Sequence, residues 1–265
     1  MPDGVEAVQP AAWVKVLKRA AAGYLDGASD PKQDRSRRRK QELLQAATRV
    51  FARDGIANAK MADIAREAGV PVSSIYDYYA GKQELAYEIP IHWRAQFYAE
   101  FLVAAPLQPN MRARLHLFLT MTIAYSQRDP DWARLLYLEI WPSVLIEEAR
   151  VRQALDDFGR IIVEMIREGG HIGEWDAGID PYQMATILMG SVTHMMITWL
   201  LYRRPRKLAE EANAMIEHLL VLLDRGEASK RPHRSTTSLR SSNRDASRSS
   251  TKPRLQARRA AGKLT

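Results

Sequence analysis

Ser73, Ser74, Tyr76 and Tyr78 interleave with apolar Val72, Ile75 and Tyr79 over one short stretch. On a helix that pattern sets an apolar side against a side rich in hydroxyl groups, which can both donate and accept hydrogen bonds. Just upstream, Ile64, Ala65 and Ala68 belong to a second short helix that runs into Gly69. Two short helices across a tight turn form a helix-turn-helix, used mostly to set one helix in the major groove of DNA. Steep crossing needs a small residue at the contact, which Ala65 supplies. It also needs a sharp backbone turn, which Gly69 supplies because glycine reaches positive φ without steric cost. Ile75, six residues beyond Gly69, plugs the contact. An all-helical protein often offers Ala, Gly and Ile at these spacings by chance, so the flanking elements decide the matter.

Those elements read as helices punctuated by Pro and Gly, with no convincing strand pattern and no internal repeat. Trp13, Leu17, Ala20, Ala21 and Tyr24 share a face, giving a short amphipathic helix around 11–25 that packs on the body. A polar break follows from Gly27 to Ser36. A first head helix runs from about Arg37 to Arg53, with Leu43, Leu44, Ala47, Val50 and Phe51 in one stripe and Gly55 ending it. Lys82 opens a helix to about Ala104, with Leu85, Ile89, Trp93, Phe97 and Phe101 on one side. Pro90 lies inside it, which predicts a kink or local break. Five more helices are expected, at about 110–127, 130–140, 143–169, 180–203 and 206–224. Asn110, Asp129-Pro130 and Asp180-Pro181 are start signals, and Gly169-Gly170 is a stop.

The net charge of +8 over 265 residues is unevenly spread. From Arg225 to the end, 12 basic residues face 2 acidic ones, and Arg35 to Lys82 holds 10 against 5. Residues 83–224 carry 13 basic and 19 acidic residues. A basic head on an acidic body suggests that only the head meets a polyanion; ordinary surface charge is the competing reading. The chain has no cysteine, which excludes disulfides, thiolate metal sites and cysteine nucleophiles and suits a reducing cytoplasm. Met1 to Pro10 shows no secretory signal. The Ser- and Arg-rich stretch from 225 to 265 cannot bury enough apolar surface to fold and is expected to be a disordered basic tail.

Residues 37–85 resemble the DNA-binding domain of the TetR family of bacterial transcriptional regulators. The resemblance rests on Leu43-Leu44-Gln45-Ala46-Ala47 with Val50-Phe51, then Gly55, Asp63-Ile64-Ala65 and Ala68-Gly69-Val70. It continues through Ser74-Ile75-Tyr76, Tyr78-Tyr79 and Lys82 with Leu85. It implies an all-α fold, with an N-terminal three-helix helix-turn-helix DNA-binding domain and then a helical ligand-binding and dimerisation domain. The expected layout is an extension at 1–36, partly disordered, the head at 37–97 with its motif at 60–79, the body at 98–224 and the tail at 225–265. The family's recognition helix corresponds to Val72–Tyr79. Tyr76 falls at the family's near-constant tyrosine, Tyr78 at a phosphate-contacting His or Tyr, and Lys82 at its phosphate-contacting lysine. Ser73 and Ser74 face the groove, and Tyr79 replaces a core phenylalanine. Two departures stand out. Ala59 and Lys60 replace the threonines that usually cap the preceding helix, leaving Asn58 to cap and Lys60 to supply phosphate charge. Pro71 replaces a capping serine. Arg37, Arg38 and Arg39, with Lys40, precede the first head helix. They either reach DNA or form a solvated charged start.

The resemblance also implies a homodimer through the two helices within 180–224, paired as a four-helix bundle. Residues 183–202 have no charge except at His194. Their length alone would permit a membrane span, but scattered Ser191, Thr193, His194 and Thr198 and the acidic body argue for burial instead. Trp93, Phe97, Phe101, Phe118, Met121, Tyr125, Trp132, Tyr137, Trp141 and Met165 lie between head and dimer helices. They read either as plain core or, by the resemblance, as lining a pocket for a small, largely apolar effector. Such a ligand would release a repressor from its double-stranded DNA operator. An enzyme or lipid-handling helical protein is the alternative. No catalytic motif, metal-ligand spacing among His92, His116, His171, His194 and His218, or phosphate loop supports it, and no cofactor is expected.

Overall fold

The computed structural model describes residues 11–25, 31–141 and 148–224. The expected coil at 1–10, the start of a helix at 143, the Tyr24 side chain and the basic tail at 225–265 lie outside what is described. No strand occurs among the described residues.

α1 (Ala12–Leu25) buries Trp13, Leu17 and Ala21, a stripe at four-residue spacing. That stripe lies against α5 (Lys82–Ala104) and α8 (Ala149–His171). Trp13 meets Phe101 edge-on at 6.2 Å between ring centres. Arg19 of α1 pairs with Asp157 of α8 at 2.5 Å. The expected packing role is therefore observed, between two named helices.

α2 spans Pro31–Asp54, six residues more at its start than the hydrophobic pattern predicts. Pro31 stands at the first helical position, where a missing N–H costs nothing, and no breaker follows before Gly55. The expected polar break therefore ends at Pro31, and Arg37, Arg38 and Arg39 sit inside the helix, not ahead of it. Leu43, Leu44, Ala47, Val50 and Phe51 are all buried. Gly55, at φ +77°, ends α2 as expected.

α5 runs from Lys82 to Ala104 without a break at Pro90, contrary to the interruption its sequence suggests. Pro90 is buried in the core with Ile89, so packing holds the helix together where one backbone bond is lost.

The body follows as α6 (Met111–Arg128), α7 (Pro130–Arg134), α8, α9 (Pro181–Tyr202) and α10 (Leu208–Leu220). The three start signals act as predicted. Asn110 accepts from the Ala113 N–H at 2.8 Å, Asp129 from the Trp132 N–H at 2.9 Å, and Asp180 from the Tyr182 and Gln183 N–H groups. From Leu135 to Ile140 the chain continues α7 as a wider π-type helix. The Gly169-Gly170 stop is not observed: α8 continues to His171, and Gly173 takes positive φ instead, at +79°. Gly169 has another use. A Cβ there would stand 1.8 Å from the Trp175 ring, which folds back so that its indole N–H donates to the Ile166 carbonyl at 2.8 Å.

α9 is apolar and long enough to cross a bilayer, yet only 33% of its most apolar window is buried. It packs on α8 and α10 with Met184, Leu188, Val192, Met196 and Leu200, leaving Ile187, Leu201 and Tyr202 exposed. α10 buries Leu208, Ala212, Ile216 and Leu220 against α6 and α9, while Met215 and Leu219 are half-buried.

Candidate nucleic-acid interface and effector cavity

α3 (Met61–Ala68) and α4 (Val72–Tyr76) build the outer pair of the head. Gly69 closes α3 in the left-handed conformation, φ +66°, and the Val70 N–H returns to the Ala65 carbonyl at 3.0 Å. Ile64, Ala65 and Ile75 are buried where the two helices meet. α4 is shorter than the expected 72–79: after Tyr76 the chain tightens into a turn whose Tyr78 and Tyr79 N–H groups both reach the Ile75 carbonyl at 3.0 Å.

Burying Ile75 and Tyr79 turns the remaining side chains of this stretch outward. Tyr76 is 53% exposed, Ser73 is exposed and Ser74 is half-buried. Tyr78 is half-buried, its ring resting on the core. Tyr79 is core as expected, with burial raising its hydroxyl pKa above the ordinary tyrosine value. Lys60 is exposed at the start of α3. Neither α3 nor α4 has a side-chain cap. Asn58 does not cap α3; its amide donates to the Asp54 carbonyl at 3.2 Å. Arg37, Arg38 and Arg39 are exposed on the early turns of α2, and Arg39 pairs with Glu42 at 2.9 Å. Being helical, they cannot act as an extended arm.

Lys82 stands differently from the other cations. Its ammonium donates to the Ala57 carbonyl at 2.7 Å and the Ala59 carbonyl at 3.0 Å, tying the first turn of α5 to the loop before α3. A third donor remains on the group.

Within the body, α5, α6, the α7 segment, α8 and α9 enclose a cavity of about 40 Å³. Of the ten expected pocket residues, Phe97, Tyr125, Trp132, Tyr137 and Trp141 line it. Phe101, Phe118 and Met165 are plain core. Trp93 packs behind Trp132 at 5.9 Å between ring centres. Met121 faces a separate surface groove between α6 and α10. These five lie away from this cavity because a helical stripe fixes the buried side of one helix, not which neighbour that side meets.

Sequence reasoning missed several lining residues, among them Arg94, Thr122, Phe158 and Thr193. Arg94 had a signal: it lies in phase with Phe97 and Phe101, at i, i+3 and i+7, on the buried face of α5. It is 8% exposed, and its guanidinium lies 4.1 Å from the Phe158 ring centre. Tyr98 is fully buried beside it, and burial pushes its hydroxyl up to about 12. No cluster of His, Asp or Glu among the described residues could hold a metal ion.

Residues 43–89 match the sequence profile of the bacterial regulatory proteins of the tetR family. The head is thus a tetR-family DNA-binding domain. The fatty acid metabolism regulator protein of Bacillus subtilis is 22% identical over 179 residues, which cover 68% of this chain and 92% of that protein. The LuxR transcriptional regulator of Vibrio harveyi is 28% identical over 125 residues, 44% of this chain and 60% of its own. Among solved structures, the regulator FadR of Bacillus subtilis in complex with stearoyl-CoA superposes with a TM-score of 0.64 at 22% identity. That match covers 68% of this chain and 96% of FadR. FadR of Bacillus halodurans gives the same TM-score at 19% identity, covering 68% of this chain and 97% of its own. The chain is thus a helix-turn-helix, DNA-binding transcriptional regulator and not an enzyme.

Proposed function

We propose that the chain works in the cytoplasm as a dimeric repressor, with a DNA-reading head at 37–97 and an effector-binding, dimerising body at 98–224. Tyr76, Ser73 and Ser74 read the operator, with Tyr78, Lys60, Lys82 and Arg37 to Arg39 on the phosphate backbone. The observation that carries this reading is the split across α4, where Ile75 is fully buried while its neighbour Tyr76 is 53% exposed. An aromatic residue held out on a short helix, over a sealed contact, suits a groove more than a core. Tyr76→Ala should weaken operator binding about 5- to 150-fold, as expected for losing a contact of roughly 1–3 kcal/mol. A footprint of unchanged affinity would overturn the contact assignment.

Homodimerisation through α9 and α10 accounts for the apolar side chains left uncovered on one molecule: Tyr182, Ile187, Leu201, Tyr202 and Val221. The effector is a small, largely apolar molecule. Support comes from the aromatic cavity and from a similar regulator that was solved with stearoyl-CoA. At about 40 Å³ the cavity is far below the roughly 300–1,000 Å³ of ligand pockets. Binding must therefore widen it and displace α5, which continues into the head. A coupling of about 1–3 kcal/mol gives roughly 5–150-fold release.

A further inference from the structure

Arg94 is a buried cation inside a cavity of aromatic and aliphatic side chains, and it forms no ion pair among the described residues. Its Nε has no hydrogen-bond partner. Asp157, next to Phe158 on α8, is already engaged by Arg19 at 2.5 Å and by the Gln153 amide at 2.9 Å. The Tyr98 hydroxyl beside Arg94 stays neutral and cannot balance its charge. Among the other lining residues, the Trp132 indole nitrogen is also buried without an acceptor. Guanidinium and indole N–H groups only donate. The Tyr125 hydroxyl lies toward Glu100 and Arg128 and is not part of this set. Two buried donors, one of them charged, border a space with no anionic acceptor among the described residues to match them. Such an arrangement is costly in the empty protein and is relieved by an anion.

We infer that the effector is an amphiphile whose carboxylate is held by Arg94 and Trp132, with its apolar body among the aromatic walls. This rests on the reading of the cavity as the effector site. A space of about 40 Å³ admits a headgroup of this size, whereas a coenzyme A nucleotide is far larger. Met189 and Trp141 form one side of the cavity and also border an open groove along α8 and α9. A chain longer than the cavity has its exit there.

The test compares decanoate, decan-1-ol and decanoyl-CoA on the full-length protein, read by tryptophan fluorescence and by release from operator DNA. Decanoate should bind about ten- to hundredfold more tightly than the alcohol, the range for a charge-assisted hydrogen bond against its neutral counterpart. Arg94→Met should abolish that preference, and Arg94→Lys should restore part of it. A preference that survives Arg94→Met overturns the inference. So does an alcohol or thioester that binds as tightly as the acid, although the apolar-effector reading then stands. Failure of all three compounds to bind overturns both. Ligand-free Arg94→Met should melt no lower than the wild type, because it removes an uncompensated charge. A clear drop in its melting temperature would make Arg94 a structural residue and overturn the inference.

Discussion

Two glycines show how one residue type serves two unrelated needs. A Cβ added at Gly69 would meet nothing within 4 Å, so only its φ of +66° demands glycine. Gly69→Ala should cost about 1–2 kcal/mol, the penalty for a left-handed residue with a side chain. Gly169 sits in ordinary helix, but the Trp175 ring occupies the place of its Cβ. Gly169→Ala should destabilise by about 1–3 kcal/mol through overpacking, and a milder partner such as Trp175→Leu should reduce that cost. Denaturant titration of the single and double variants separates the two causes. His92 supplies a pH handle. Burial lowers its pKa from the ordinary 6.5, so the native state favours the neutral ring. Its contribution to stability is complete above about 6.5 and is lost as pH falls below that value. His92→Gln should flatten the acid limb of the melting-temperature profile.

At the scale of elements, α1 has the clearest energetic consequence. It shields parts of both α5 and α8, and Trp13 is 5% exposed. Trp13→Ala should cost about 3–5 kcal/mol, measured by calorimetry. Most helix positions were legible in the sequence because apolar stripes at 3.6-residue spacing, Asx caps and Gly ends are local signals. What stayed hidden depends on tertiary contact. Pro90 is carried through α5 by burial, Gly169 is fixed by Trp175, and the wide turns at Leu135–Ile140 have no local signature. The cavity followed the same division. Aromatic residues could be assigned to the interior, but only packing selects the five that face one void, and the phase of Arg94 with Phe97 and Phe101 marks its side of α5 without showing what that side meets. The reading pair α3–α4 was the most legible part, since Ala65, Gly69 and Ile75 meet within eleven residues of sequence.

For the whole molecule, the proposed dimer rests on the apolar stripe of α9 and its neighbours. Ile187→Glu should shift the protein to monomer in sedimentation at micromolar concentration, while Tyr76 variants should remain dimeric. Monomers should lose affinity for a two-half-site operator far more than for an isolated half-site, because each head contributes only part of the contact.

The grip of Lys82 on the Ala57 and Ala59 carbonyls bears on how a disturbance in the body would arrive at DNA. Without it, motion of the long helix would be absorbed by slack in the segment ahead of α3. With that segment pinned to the helix's first turn, a shift of the root draws the segment ahead of α3 along with it.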